Sequence, residues 1–359
     1  MPETNGAPAK PVTSGSGMWI AVVVVFVAAA CWFAYRAFVT QGFQWKKFVD
    51  SFATLDWGWL LLSVILSFST YVGRAFRWAV LIRPQKPHAS LWNLFTATVI
   101  GFTALVLFGR PGEMVRPYLI AVKEKLSFSS QMAAWLLERV FDLMMALFIF
   151  SFALSRVQNS GVDVGDKLNW VLKLGGYFIG VIGLSCVAVF VALRQFGDRS
   201  ERRIREAAAV LPEQYQQWFA NTIAAFRAGV ESTKDWKAVA ALWIYSILEW
   251  VLITGCSYCL FKAAPATHAF SLTDVLIFLG FAAFGAVIQI PGVGGGLQIV
   301  TIVVLTELFG VSLEAASGLA LVSWIITFVI ILPFGFAFAF HDGLQWRKLR
   351  HLGEDQVTP

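Results

Sequence analysis

Charge is what this chain has least of. Asp, Glu, Lys and Arg make up only 14% of its 359 residues, against 58% hydrophobic, and the mean hydropathy is +0.68. A soluble fold of this size needs far more charge on its surface, so the balance excludes one and points to an integral membrane protein. Histidine is nearly absent. His88, His268, His341 and His351 are scattered at loops or span ends, and no H-E-x-x-H occurs, so no metal-ligating or catalytic cluster is legible. No Gly-rich loop leads into Lys-Ser or Lys-Thr, which leaves any transport passive or ion-driven. The four cysteines, Cys31, Cys186, Cys256 and Cys259, all fall inside apolar segments and imply no disulfide framework. Cys256 and Cys259 stand at C-x-x-C spacing, read as buried thiols rather than redox or metal chemistry. The net charge of +6 could suggest nucleic acid, but the basic residues lie between apolar runs, where membrane topology accounts for them. No cofactor and no nucleic-acid partner is expected.

What the chain does have is long apolar runs and 15 tryptophans, which suit the interfacial belts of a bilayer. Residues 1–17, rich in Pro, Gly, Ser and Thr, read as a disordered tail. Ala28-Ala29-Ala30-Cys31 faintly resembles a lipoprotein cleavage site, yet the apolar run continues to Phe38, so a retained first span is the reading. Spans are expected at about 18–39, 57–82, 127–154, 168–194, 237–262 and 312–340. Two more apolar regions, 89–125 and 272–309, are broken near their middles by Pro111-Gly112 and Pro291-Gly292. Each arm is marginal for a hydrocarbon core of about 30 Å, so both read as re-entrant helical hairpins.

Positive charge tests this plan. With the N-terminus cytoplasmic and each hairpin returning to its own side, most of the 28 lysines and arginines fall inside. If the first hairpin crossed fully, basic loops would lie on both faces. The first hairpin then enters from the cytoplasm and the second from outside, with Pro-Gly pairs 180 residues apart. The order span, polar connector, span, hairpin, span occurs twice, the mark of inverted-topology repeats whose broken helices build a site near the midplane. The expected organisation is a cytoplasmic tail 1–17, a first repeat 18–154, a second repeat 155–340 and a cytoplasmic tail 341–359. Within the second repeat, connector 195–236 reads as an amphipathic helical pair on the inner leaflet, broken near Pro212. Its cluster Arg199, Arg202, Arg203 and Arg205 would attract anionic inner-leaflet lipid, or serve only as a topology anchor. Residues 44–52 could be a shorter interfacial counterpart outside.

The charges that remain inside membrane segments are the candidate chemistry, because each costs about 2.5–3.5 kcal/mol on insertion scales unless it has a partner or a task. Arg74 and Arg77 share a face near the cytoplasmic end of the second span, where snorkelling to the interface is the alternative. At the first hairpin tip, Gly109 to Pro117, the residues Arg110, Glu113 and Arg116 recur every third position. A helix starting at Pro111 would align them and present unpaired N–H groups to an anion; salt bridging that merely closes the hairpin is the alternative. In the next span Glu138 and Asp142 lie four apart with Arg139 between. Buried arginine favours bidentate carboxylate or phosphate partners, so Arg110 or Arg116 should pair with Glu138 or Asp142. Glu249 stands alone in mid-span and is the candidate for proton coupling. The second hairpin offers Gly294, Gly295 and Gln298, backbone rather than charge.

The run R-P-G-E-x-x-R-P at 110–117, then Ser129 or Ser130, Ala133, Glu138-Arg139-Val140-x-Asp142 and a late P-G-x-G-G, resembles the lysylphosphatidylglycerol synthase transmembrane-domain, or flippase-like, family. The resemblance covers about 18–340. It implies a bacterial or archaeal multi-pass protein of the cell membrane, in a family associated with moving a modified phospholipid between leaflets. Two departures stand out. The aminoacyl-transferase domain of full-length synthases is not expected here, nor is lipid aminoacylation. The second hairpin commonly carries a glutamate after its glycines, where this chain has Gln298.

The reading is an all-α polytopic membrane protein with six spans and two opposed hairpins. It would move an anionic or zwitterionic lipid between leaflets, and oligomerisation is possible. Arg77, Arg110 and Arg116 would attract the phosphate, with Glu113, Glu138 and Asp142 holding them. The rivals are an intramembrane enzyme acting on a lipid or polyprenyl phosphate, and a non-transporting partner in envelope-lipid synthesis.

Overall fold

The computed structural model describes residues 42–159, 181–188, 190–192, 195, 213–285, 289–290 and 294–343. The expected first span and tail, most of 168–194, the basic cluster at 199–205, Pro291–Val293 and the C-terminal tail from residue 344 lie outside them. The chain divides into two compact units, Met1–Lys47 and Phe48–Pro359.

The architecture is all-α. The helices are α1 (Trp45–Ala53), α2 (Trp57–Ile82), α3 (Leu91–Phe108), α4 (Val115–Glu124), α5 (Phe128–Asn159), α6 (Glu213–Val230), α7 (Trp236–Ala263), α8 (Leu272–Gly285), α9 (Gly296–Glu307), α10 (Leu313–Trp324) and α11 (Leu332–His341). Among the described residues, five stretches are long and apolar enough to cross a membrane: Trp57–Ile82, Leu91–Phe108, Phe128–Val157, Trp236–Ala263 and Leu313–His341. Four match expected spans, and the fifth is the first arm of the first hairpin. Their starts follow local chemistry, since a short polar side chain satisfies the free N–H groups of the first turn. Asp56 accepts from Gly58 and Trp59, Ser90 from Asn93, Asp235 from Lys237 and Ser312 from Ala315.

α2 and α7 pack antiparallel along their whole length. Asp56 N–H donates to Ala263 O at one end, Ser63 Oγ donates to Cys256 O further along, and Arg77 reaches Ser246 towards the other end. Their outer faces show Leu61, Ile65, Val72, Phe76, Ile244, Ile247 and Val251. Such contiguous apolar exposure is stable only against lipid or protein. Two apolar cores flank this pair. One gathers Trp78, Leu81, Ile100, Leu119, Leu137, Phe141 and Leu242; the other gathers Phe261, Val275, Phe278, Leu305 and Ala316.

Between α10 and α11 the last span passes through a π-helical segment, Ile325–Val329, in which Ile330 N–H bonds to Ile325 O. This irregularity is paired: Ser67 Oγ donates to Ile326 O and Tyr71 Oη to Thr327 O. Carbonyls displaced from a helix ladder inside a membrane need such donors.

Both broken regions are helical hairpins. In the first, Gly109 ends α3 at φ +69°, a conformation that side chains other than glycine rarely adopt. A 3-10 turn, Arg110–Met114, with Pro111 in its first turn, then leads into α4. Gly112 sits hard against α3, where a Cβ would fall 2.2 Å from Ala104 O. In the second, α8 and α9 are joined through a minimal antiparallel ribbon, Gln289–Ile290 against Gly294–Gly295.

The amphipathic connector differs from its expectation. Its described part, α6, turns its apolar side to protein: Ile223 and Val230 are buried, and Gly229 presses on Ser130 O of α5. An apolar stripe does not by itself say whether lipid or protein covers it.

Candidate functional site

Seven ionisable side chains from four helices converge beside the first hairpin. Their positions follow from helix geometry. Arg74 and Arg77, three apart, share the face of α2 that meets α7, and Glu138 and Asp142, four apart, share the face of α5 that meets α2. Arg116, in the first turn of α4, is admitted because Gly101 of α3 has no side chain; a Cβ there would lie 2.5 Å from Arg116 Cβ.

Arg77 is the hub. Its Nη2 donates to Glu138 Oε1 at 2.7 Å, and its Nη1 donates to Asp142 Oδ1 at 2.6 Å and to Ser246 Oγ at 3.2 Å. Glu249 Oε2 lies 3.2 Å from the same Nη1, within ion-pair reach but without the geometry of a hydrogen bond. Arg116 Nη1 forks onto both Glu138 oxygens at 3.0 and 2.8 Å, while its Nη2 donates to Arg74 O. Its guanidinium lies 4.2 Å above the Trp78 ring, and Trp78 Nε1 donates to Gln131 Oε1. Cation–π contact and ion pairing together stabilise a buried guanidinium. Arg74 Nη2 pairs with Glu249 Oε1 at 2.6 Å, and its guanidinium stands over Phe102. Arg139 Nη2 pairs with Asp142 Oδ2 at 3.0 Å and approaches Glu138 at 3.5 Å.

Burial grades across this cluster. The side chains of Arg77, Glu138 and Glu249 are at most 2% exposed, whereas Asp142 is 19% and Arg139 34% exposed. The open rim is therefore Arg139 and Asp142. Arg110 and Glu113 form a separate pair at the hairpin tip, with Arg110 about half exposed.

Of the residues singled out in the sequence, Arg77, Arg116, Glu138, Arg139, Asp142 and Glu249 are brought together. Three expectations need correction. Arg110, Glu113 and Arg116 do not share one face: the 3-10 turn keeps Arg110 and Glu113 in line, and the switch to α-helix at Val115 sends Arg116 inward. Arg77 does not snorkel, being 1% exposed. Glu249 is not alone, since antiparallel packing of α7 on α2 sets Arg74 and Arg77 against it. Gly294, Gly295 and Gln298 belong to the second hairpin, where Gly295 N–H donates to Gln298 Oε1 at 2.6 Å and closes the start of α9. Arg74, marked in the sequence beside Arg77, joins the cluster as well, while Trp78, Gln131 and Ser246 were passed over. Arg74 was legible as the residue one turn from Arg77, and Trp78 as its neighbour. Ser246 becomes visible only once α2 and α7 are paired.

A second set of charges ties the hairpin's far end. Glu124, buried, pairs with Lys86 at 2.8 Å and accepts from Asn93, while Lys123 pairs with Asp342 and donates to Thr96.

A helical membrane protein with paired charge buried beside a broken helix is the class that fold and site define. The family model described as Lysylphosphatidylglycerol synthase TM region matches residues 18–335, and the chain belongs to that family, a family of membrane proteins concerned with lipid handling. No curated protein and no solved structure matches it.

Proposed function

We propose that this protein moves a phospholipid with an anionic or zwitterionic head group between leaflets of the cell membrane. The observation that carries the reading is the Arg–carboxylate cluster, buried within apolar spans and opening at Arg139 and Asp142 beside the hairpin tip. Such a cluster is costly in a bilayer and is retained where it faces a cavity, a pathway or a substrate. Guanidinium pairs are the side chains best matched to phosphate oxygens. The head group would travel along the charged rim while its acyl chains remain in lipid.

The internal symmetry supports this reading. α2 and α7 pair with each other, and each hairpin packs on the long span of the opposite half. Gly335 of α11 abuts Thr103 of α3, and Gly280 of α8 abuts Ala153 of α5. Exchange of the two halves preserves that plan, as inverted repeats would. On this reading both hairpins are re-entrant, and the ends at Ile82, Glu124, Phe128 and Trp236 face the cytoplasm together with both termini. Glu249, held between Arg74 and Arg77, is the coupling residue proposed within this cycle, because its protonation would free Arg74 and weaken the hold on Arg77.

The test is transbilayer movement of fluorescent phospholipids in vesicles carrying the purified protein. Acceleration above protein-free vesicles is expected. Equal rates for every head group tried, with and without protein, would overturn the reading. So would chemical conversion of the lipid by the protein in detergent, where leaflets do not exist.

A further inference from the structure

The charges of the cluster do not balance. Arg74, Arg77, Arg116 and Arg139 face three carboxylates, Glu138, Asp142 and Glu249, and the tip pair Arg110–Glu113 is neutral by itself. Among the described residues the only other buried carboxylate named in an ion pair, Glu124, is engaged by Lys86 at the far end of α4. With every group ionised, the described residues of the cluster therefore hold one positive charge in surplus. A surplus charge in a poorly hydrated site is unfavourable unless a counter-ion completes it.

Two further observations say where and how the counter-ion would sit. The Nε atoms of Arg74, Arg77, Arg116 and Arg139 are all buried without a hydrogen-bond partner. Each is an unused donor of a group whose fork suits oxyanions. The surplus is most accessible at Arg139, 34% exposed, against 15% for Arg74, 5% for Arg116 and 1% for Arg77. Arg139 lies within Phe128–Val157, a stretch long and apolar enough to cross a membrane, so a lipid can reach it from the side.

We propose that the ligand of this cluster is a lipid whose head group is a singly charged phosphodiester without a compensating cation, docked through its phosphate on Arg139. The inference rests on the translocation reading and narrows it. One negative charge neutralises the site. A zwitterionic head group brings an ammonium that meets only engaged carboxylates, Glu113 held by Arg110 and Asp142 held by Arg77 and Arg139. A doubly charged monoester overshoots.

The experiment uses the full chain in phosphatidylcholine vesicles with trace fluorescent phosphatidylglycerol, phosphatidylethanolamine, phosphatidylcholine or phosphatidic acid. Phosphatidylglycerol should cross at least about tenfold faster than the zwitterionic probes, a factor equivalent to about 1.4 kcal/mol. Arg139→Gln, which makes the cluster neutral, should erase that preference, and Arg139→Lys should keep it. Should Arg139→Gln fail to fold, Asp142→Asn provides the second arm: it doubles the surplus and should shift the preference towards phosphatidic acid. Equal acceleration of all four probes by the unaltered protein would overturn the charge assignment while leaving translocation standing. Acceleration of none would overturn the translocation reading itself. Soluble glycerophosphoglycerol should not compete; if it slowed phosphatidylglycerol at equimolar concentration, the assignment to a lipid-borne phosphodiester would fall.

Discussion

The two hairpins answer the same geometric problem with different chemistry. Each turns an apolar helix back on itself, and each must satisfy the backbone groups freed at the break. The first does so with a 3-10 turn, close packing of Gly112 on α3 and a charged pair at its tip, and it delivers Arg116 into a buried ion cluster. The second closes with a short ribbon and the Gln298 cap on Gly295. Two hairpins of one chain therefore differ in chemistry: one tip organises charge, while the other, among the described residues, completes its own backbone.

The sharpest way to break this comparison is at the hub. Arg77→Ala takes one partner each from Glu138, Asp142 and Glu249 and leaves Ser246 Oγ without its donor, and removing one partner of a buried pair costs about 3–5 kcal/mol. Thermal unfolding in detergent should show a large loss, and a variant as stable as the parent would mean that the cluster is not a mutual support. Gly112→Ala comes next, because its Cβ would meet Ala104 O, a backbone atom that cannot swing aside. Overpacking of this kind costs about 1–3 kcal/mol, read as a lower unfolding midpoint together with loss of lipid movement. Gln298→Ala should remove one cap at about 1 kcal/mol and leave the head-group preference unchanged; a changed preference would show that the second tip also reads the lipid. The smallest effect belongs to Lys123→Ala at the pair with Asp342, which is partly open to solvent and is worth up to about 1 kcal/mol. Its stability change should be near the limit of a denaturation measurement.

Much of this was legible in the sequence because lipid leaves the backbone few options. Apolar length alone marks α2, α5, α7 and the last span, and Pro-Gly in an otherwise apolar run marks each hairpin. The membership of the cluster was legible for the same reason: charge at membrane depth is rare enough to stand out, as at Arg116, Glu138 and Asp142. The pairing was not. Glu249 looked solitary because its partners lie on α2, far away in the chain, and only antiparallel packing of α7 on α2 joins them. The direction of Arg116 was hidden by a change of helix type at Val115, which shifts side-chain phase without a strong mark in composition. Ile223 and Phe226 of α6 were legible as apolar positions, but what covers this helix, the start of α5, was not in the pattern.

Passage of the head group along the rim, as proposed, requires the buried fork of Arg116 on Glu138 that lies beneath it. The double variant Arg116→Gln/Glu138→Gln removes one cation and one anion that bind each other, so the net charge stays the same while the fork is lost. Phosphatidylglycerol movement in vesicles should fall at least about tenfold, equivalent to about 1.4 kcal/mol of barrier, with the variant still monodisperse and its helix content unchanged. Movement at the parent rate in that folded variant would contradict the account.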